Sequence, residues 1–143
     1  MKTRVKWAHD MLFVGETASG HAVVMDAAPD VGGRNLGPRP MELLLVGLGG
    51  CSSIDVVLIL KRSREAVTDC DVEIEAERAD TDPKIFTSIK LHFIVTGNNL
   101  DAKKVERAIK LSHDKYCSAS AILMATAKMS YDFEIREASA AAT

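Results

Sequence analysis

The 143-residue chain carries 18 basic and 20 acidic side chains, a formal net charge of −2, so no bulk basic field attracts nucleic acid or an anionic membrane. Apolar residues make up 47% and charged residues 27%, a globular balance that excludes disorder, and aromatics at 5% are too few for a stacking platform. A chain this long fits a single domain over residues 1–143 and can bury roughly two-thirds of its unfolded surface without disulfides or a structural metal.

The basic start, Met1 to Lys6, is not followed by a long apolar stretch, and the three cysteines at 51, 70 and 117 are too few and too odd in number for a disulfide framework. The expectation is a cytoplasmic protein with reduced thiols.

Short strands are expected at Arg4 to Ala8, Leu12 to Glu16 and His21 to Met25, separated by His9-Asp10 and Ser19-Gly20. From Asp26 to Pro38, glycines and prolines predict an irregular, mobile loop. Pro40 opens a long helix with Glu42 in its first turn and Lys61, Arg62 and Arg64 at its end, each of the sign that complements the helix dipole. Between them the helix is apolar all round, the pattern of a helix buried on every side or crossing a membrane. Asp55 and the small polar residues Ser52 and Ser53 within it favour a central helix packed by sheet, from two subunits if need be, and no membrane role.

Cys70, Val72, Ile74 and Ala76 alternate with Asp71, Glu73, Glu75 and Glu77, a half-buried strand with an acidic outer face. A turn at Thr81 to Lys84 leads into a second strand, Ile85 to Val95. A second helix is expected from Asp101 to Lys115, capped by Asn98 or Asn99, with Val105, Ala108, Ile109, Ser112 and Tyr116 facing inward. A short helix from Ser118 to Met124, a closing strand around Met129 to Arg136 and a frayed tail from Ala138 complete an α+β order: βββ-α-ββ-α-(short α)-β.

Few residues offer chemistry. Glycines 47, 49 and 50 stand inside the long helix, where each costs about 1 kcal/mol relative to alanine, so another group approaches closely there. Cys51, beside them, reads first as a buried inert thiol and only second as a reactive one. Cys117 lies at a helix joint, where a helix N-terminus lowers a thiol pKa, or it is a small packing residue. Cys70 shares the parity of the inward side chains and reads as structural. Asp55, one turn after Cys51, raises a neighbouring thiol pKa unless a cation offsets it, and Arg34 and Arg39 are the nearest cations in sequence. His9, His21, His92 and His113, the last placed on an exposed helical face, form no zinc spacing with the cysteines, and no phosphate loop or serine elbow is present.

Gly37-Pro38-Arg39-Pro40-Met41-Glu42-Leu43-Leu44-Leu45, then Leu48-Gly49-Gly50-Cys51, then Lys115-Tyr116-Cys117-Ser118, resemble the OsmC/Ohr family over roughly residues 1–137, with a cysteine spacing of 117 − 51 = 66. Ile54-Asp55-Val56-Val57 resembles its YhfA-like branch. The resemblance implies an OsmC-like fold in an interlaced homodimer with its sites at the subunit interface. It implies a thiol peroxidase in which Cys51 is the peroxidatic thiolate and Cys117 resolves its sulfenic acid as a disulfide. Small apolar hydroperoxides are the implied substrates, an external lipoyl-type dithiol is the implied reductant, and no metal or bound cofactor is implied. The chain departs from the family pattern at one place. The family's glutamate stands ten positions before the first cysteine, where this chain has Met41, with Glu42 one step later and about 100° round the helix. Arg34 is the first choice for the family's activating arginine and Arg39 the second, with Glu42 as a displaced clamp. The alternative is a redox-sensing or apolar-ligand-binding protein on the same scaffold that turns over weakly or not at all.

Overall fold

A computed structural model describes residues 1–139; residues 140–143, most of the expected frayed tail, lie outside the described residues. Ala138, where that tail was expected to begin, is tied down: its N–H donates to the Gly97 carbonyl at 2.9 Å. The elements run β1 (Thr3–His9), β2 (Leu12–Thr17), β3 (Ala22–Met25), α1 (Pro40–Arg62), β4 (Ala66–Arg78), β5 (Phe86–Asn98), α2 (Ala102–Leu111), α3 (Ser118–Leu123) and β6 (Lys128–Glu137). This is the expected α+β order, with two additions: a 3-10 turn at Pro29–Val31 and a π-helical turn at Ser112–Tyr116. The chain forms two compact units, Met1–Val46 and Gly47 onward, and α1 runs through the boundary.

In the first unit β1, β2 and β3 pair antiparallel in that order, with Trp7 opposite Phe13 and Phe13 opposite Met25. This register puts Val5, Trp7, Phe13, Val23 and Met25 on one face. Trp7 on that face stays 63% exposed and Val5 57%.

The loop expected to be mobile is instead organised around one carboxylate. Asp26 is 2% exposed, and its side chain accepts from the backbone N–H groups of Ala27 (2.8 Å), Arg34 (3.0 Å) and Leu36 (3.1 Å). These bonds, that of Leu36 foremost, hold its pKa below the ordinary carboxylate value against the opposing effect of burial. Gly33 is required in this wrap, since a Cβ there would fall 1.8 Å from the Ala27 carbonyl oxygen.

In the second unit Leu48, Ser52, Val56 and Leu60 of α1 form a buried stripe at four-residue spacing. Full burial of a leucine or valine side chain contributes about 1.5–3 kcal/mol, so this stripe anchors the helix. Gly49 is needed here because a Cβ would lie 3.1 Å from Ile74 and 3.2 Å from Val72 on β4. The opposite face is bare: Ile54 is 68% exposed, and a Cβ on Gly47 or Gly50 would meet open space. α1 is long and apolar enough to cross a membrane by length and composition. The expectation of burial all round holds, within one chain, only for the Leu48–Leu60 stripe and Gly49 beside it.

The second sheet has the order β4-β5-β6, with β5 antiparallel to β4 and parallel to β6. Ile89, Leu91, Phe93 and Val95 fill its inner face. On the outer face the β4 acids meet Lys90 and His92, both of which pair with Asp132 on β6. Val105, Ala108 and Ile109 of α2 are fully buried. The cap of α2 is Asp101, whose carboxylate accepts from Lys103 N–H at 2.9 Å, rather than Asn98 or Asn99. Asn99 instead takes a left-handed turn at φ 51°.

Candidate thiol site

Cys51 and Asp55 lie one turn apart on α1, and the helix repeat places them on one face. Cys117 reaches the same place from a different direction. The helix expected to continue to Lys115 widens at Ser112 into a π-helical turn, and the Cys117 N–H closes that turn on the Ser112 carbonyl at 2.9 Å. Cys117 then takes an extended conformation as the N-cap of α3, with its sulfur accepting from Ser120 N–H at 3.4 Å.

The Sγ atoms of Cys51 and Cys117 and a carboxylate oxygen of Asp55 all lie within 4.8 Å of one another. Cys117 is buried, Cys51 and Asp55 are half-buried, and all three cysteines are free thiols. Two serine hydroxyls hold the group. Ser52 Oγ donates to Cys117 Sγ at 3.4 Å. Ser112 Oγ faces both Asp55 Oδ2 at 3.1 Å and the Ser52 carbonyl at 3.4 Å; with a single proton to give, it favours the nearer, charged acceptor.

The two sulfurs lie close enough that the protonation of one bears on the other. Burial pushes the Cys51 thiol up, and so do the bond to Cys117 and the Asp55 charge, partly offset by the Ala119 backbone N–H. Burial also pushes Cys117 up, but the bonds from Cys51, Ser120 and Ser52 outweigh it and leave Cys117 below an ordinary thiol. Cys70 stands outside this group; burial raises its pKa, against a bond from Ser53.

The arginines expected near Cys51 make their bonds within the first unit. Arg34 pairs with Asp10 at 3.6 Å in an exposed contact, worth at most about 1 kcal/mol. Arg39 donates to Asn35 Oδ1 at 2.7 Å and to the Gly37 carbonyl at 3.1 Å. Glu42 accepts from the Arg39 backbone N–H at 2.8 Å, an N-terminal capping contact, and among the described residues it forms no ion pair with an arginine. His113, expected on an exposed face, packs against Tyr131 with ring centroids 5.0 Å apart and the rings tilted by 52°.

Ser52, Ser112 and Ser120 are the site residues that the sequence reading missed. For Ser120 a signal exists: a capping residue followed by a short helical run leaves an N–H three positions on to be accepted. For Ser112 there was none, because its role depends on the π turn. Beside the group lies a cavity of about 400 Å³ lined by Asp55, Leu58, Ile59, Leu111 and Tyr116, together with Arg62 and Arg107.

A family model described as OsmC-like protein matches residues 32–132. Protein YhfA of Escherichia coli K12 is 44% identical over 135 residues, covering 94% of this chain and 98% of that protein. The crystal structure of a hypothetical protein from Aquifex aeolicus VF5 superposes with a TM-score of 0.84 at 29% identity, covering 96% of each chain. An organic hydroperoxide resistance protein from Legionella pneumophila superposes with a TM-score of 0.67 at 16% identity, covering 93% of this chain and 96% of that one, a likeness of fold alone.

Proposed function

The chain belongs to the OsmC-like protein family, and we propose that within it the chain is a thiol peroxidase reducing organic hydroperoxides. The observation that carries this reading is the pair of free thiols, Cys51 and Cys117, whose sulfurs lie within 4.8 Å of each other, one half-buried and the other buried.

Cys51 is the attacking group because it is the accessible one. Cys51 gives up its proton and attacks the terminal peroxide oxygen as the thiolate. The O–O bond breaks, the alkoxide takes up a proton and leaves as the alcohol, and Cys51 becomes a sulfenic acid. Cys117 attacks the Cys51 sulfur, water departs, and a disulfide forms. A small external dithiol of the lipoyl type returns both thiols, so the cycle calls on no metal or bound cofactor. The protein works as a cytoplasmic homodimer, in which a second copy covers the bare α1 face at Gly50 and Ile54 and the apolar face of β1 at Val5 and Trp7.

One observation favours the alternative of a redox-sensing or apolar-ligand-binding protein. Burial and Asp55 both hold the Cys51 thiol in its protonated, poorly nucleophilic form.

A mass-spectrometric thiol map separates the two. Reduced protein is given a slight excess of an organic hydroperoxide, free thiols are blocked and peptides are assigned. A rapid Cys51–Cys117 disulfide, absent in Cys51→Ser, is the expected result. Unreacted thiols would leave the binding reading in its place.

A further inference from the structure

We propose that Cys51, Cys117 and Asp55, when the thiols are reduced, form a three-donor site for a soft divalent cation of the zinc class. This inference does not depend on peroxidase turnover; it needs only that both thiols be reduced.

Four features carry it. The donor set is two sulfurs and one carboxylate oxygen, all within 4.8 Å of one another. Tetrahedral zinc has bonds of about 2.3 Å to sulfur and about 2.0–2.2 Å to oxygen, which puts its ligand atoms roughly 3.5–3.8 Å apart. Small side-chain rotations close that gap. The carboxylate is already aimed, because Ser112 holds Asp55 Oδ2 at 3.1 Å in the way outer partners fix metal ligands. Asp55 also lines the 400 Å³ cavity, which supplies an entry path and space for a fourth ligand such as water. Finally, the charges fit. Two thiolates and one carboxylate around a divalent cation are mutually compensated.

Binding replaces the thiol protons by the cation, so each cation taken up releases up to two protons, and no electrons move. Metal and disulfide compete for the same sulfurs. The cation therefore occupies the reduced protein and leaves on oxidation.

The test is a Co²⁺ titration of the full reduced chain, with no peroxide present. The expected result is a thiolate-to-cobalt charge-transfer band saturating at one ion per chain, accompanied by proton release and abolished by Zn²⁺. Cys51→Ser and Cys117→Ser lose the band, Cys70→Ser keeps it, and Ser112→Ala weakens Co²⁺ binding about 10- to 100-fold. Protein oxidised with diamide, which forms the disulfide without peroxidase action, does not bind. Circular dichroism establishes that each variant is folded, and Asp55→Asn, nearly the same size, gives weakened binding if Cys51→Ser fails to fold. Absence of the band in the reduced wild type would overturn the site, as would its survival in folded Cys51→Ser or Cys117→Ser, its loss in Cys70→Ser, or undiminished binding in oxidised protein. A protein that takes up Co²⁺ yet leaves hydroperoxides untouched keeps this site and loses the peroxidase reading.

Discussion

The Ser52 hydroxyl donates to the Cys117 sulfur over 3.4 Å, joining residues 65 positions apart. A donor aimed at sulfur favours the thiolate, and here it acts on the thiol held below its ordinary pKa although burial alone would raise it. Ser52→Ala is expected to raise the Cys117 pKa. The loss of one hydrogen bond of about 1 kcal/mol corresponds to less than about one pH unit. The pH midpoint of ultraviolet thiolate absorbance, followed in Cys51→Ser and Cys51→Ser/Ser52→Ala, measures it; equal midpoints would show that Ser52 has no such role.

Asp55 acts on the partner thiol with the opposite sign. Its negative charge contributes to holding Cys51 up. Asp55→Asn is expected to lower the Cys51 pKa and speed its alkylation near neutral pH by a few-fold, since more thiolate is present there. Alkylation rates against pH, with Cys51 identified by peptide mapping, provide the check. A slower or unchanged rate would refute the electrostatic assignment.

Asp26 makes stability depend on pH. Its folded-state pKa is depressed, so its contribution is complete above the ordinary carboxylate value of about 3.9 and is lost as pH falls through the lower folded value. Asp26→Asn is expected to melt several degrees below wild type at neutral pH, with the gap narrowing near about pH 2. A gap of constant size across that range would mean that the backbone bonds to Ala27, Arg34 and Leu36 do not depend on the charge.

Neighbouring glycines of α1 are expected to respond differently. Gly49 meets Ile74 and Val72, so Gly49→Leu should destabilise the fold itself by overpacking, typically about 1–3 kcal/mol, read by thermal or denaturant melts. Gly50 has open space around it in one chain, so Gly50→Ala in an isolated chain gains about 1 kcal/mol of helix propensity. In the proposed homodimer the same face is covered, and Gly50→Leu should shift the protein toward monomer in light scattering while keeping its helix content. A wild type that is monomeric at all concentrations would remove the dimer.

Much of the fold was legible because it rests on patterns local in sequence. The alternation from Cys70 to Glu77 marks a strand with one acidic face, and the structure pairs that strand with β5 as a hairpin. Pro40 and Glu42 mark the start of α1, and the apolar run marks its length. The loop after Met25 was misjudged because glycine and proline content reports what backbone conformations are possible. It does not reveal that one carboxylate will collect three N–H groups. His113 was misplaced because its exposure depends on Tyr131, which lies on a different element.

The sequence by itself determined the α+β order and the inward stripes of the strands and helices, and it singled out Cys51 and Cys117, through side-chain periodicity and a motif that each survive without knowledge of neighbours. Tertiary structure alone decided that Cys51, Asp55 and Cys117 meet, that Cys117 rather than Cys51 carries the lowered pKa, and that Ser52 and Ser112 hold the group. The physical reason is that a thiol's ionisation and an acid's orientation are set by whatever donors and charges lie within a few ångströms, and here those come from α1 and from the π turn into α3, distant in sequence. A π turn that reroutes the chain at Ser112 is invisible in composition, yet it brings the Cys117 sulfur to the helix that carries Cys51.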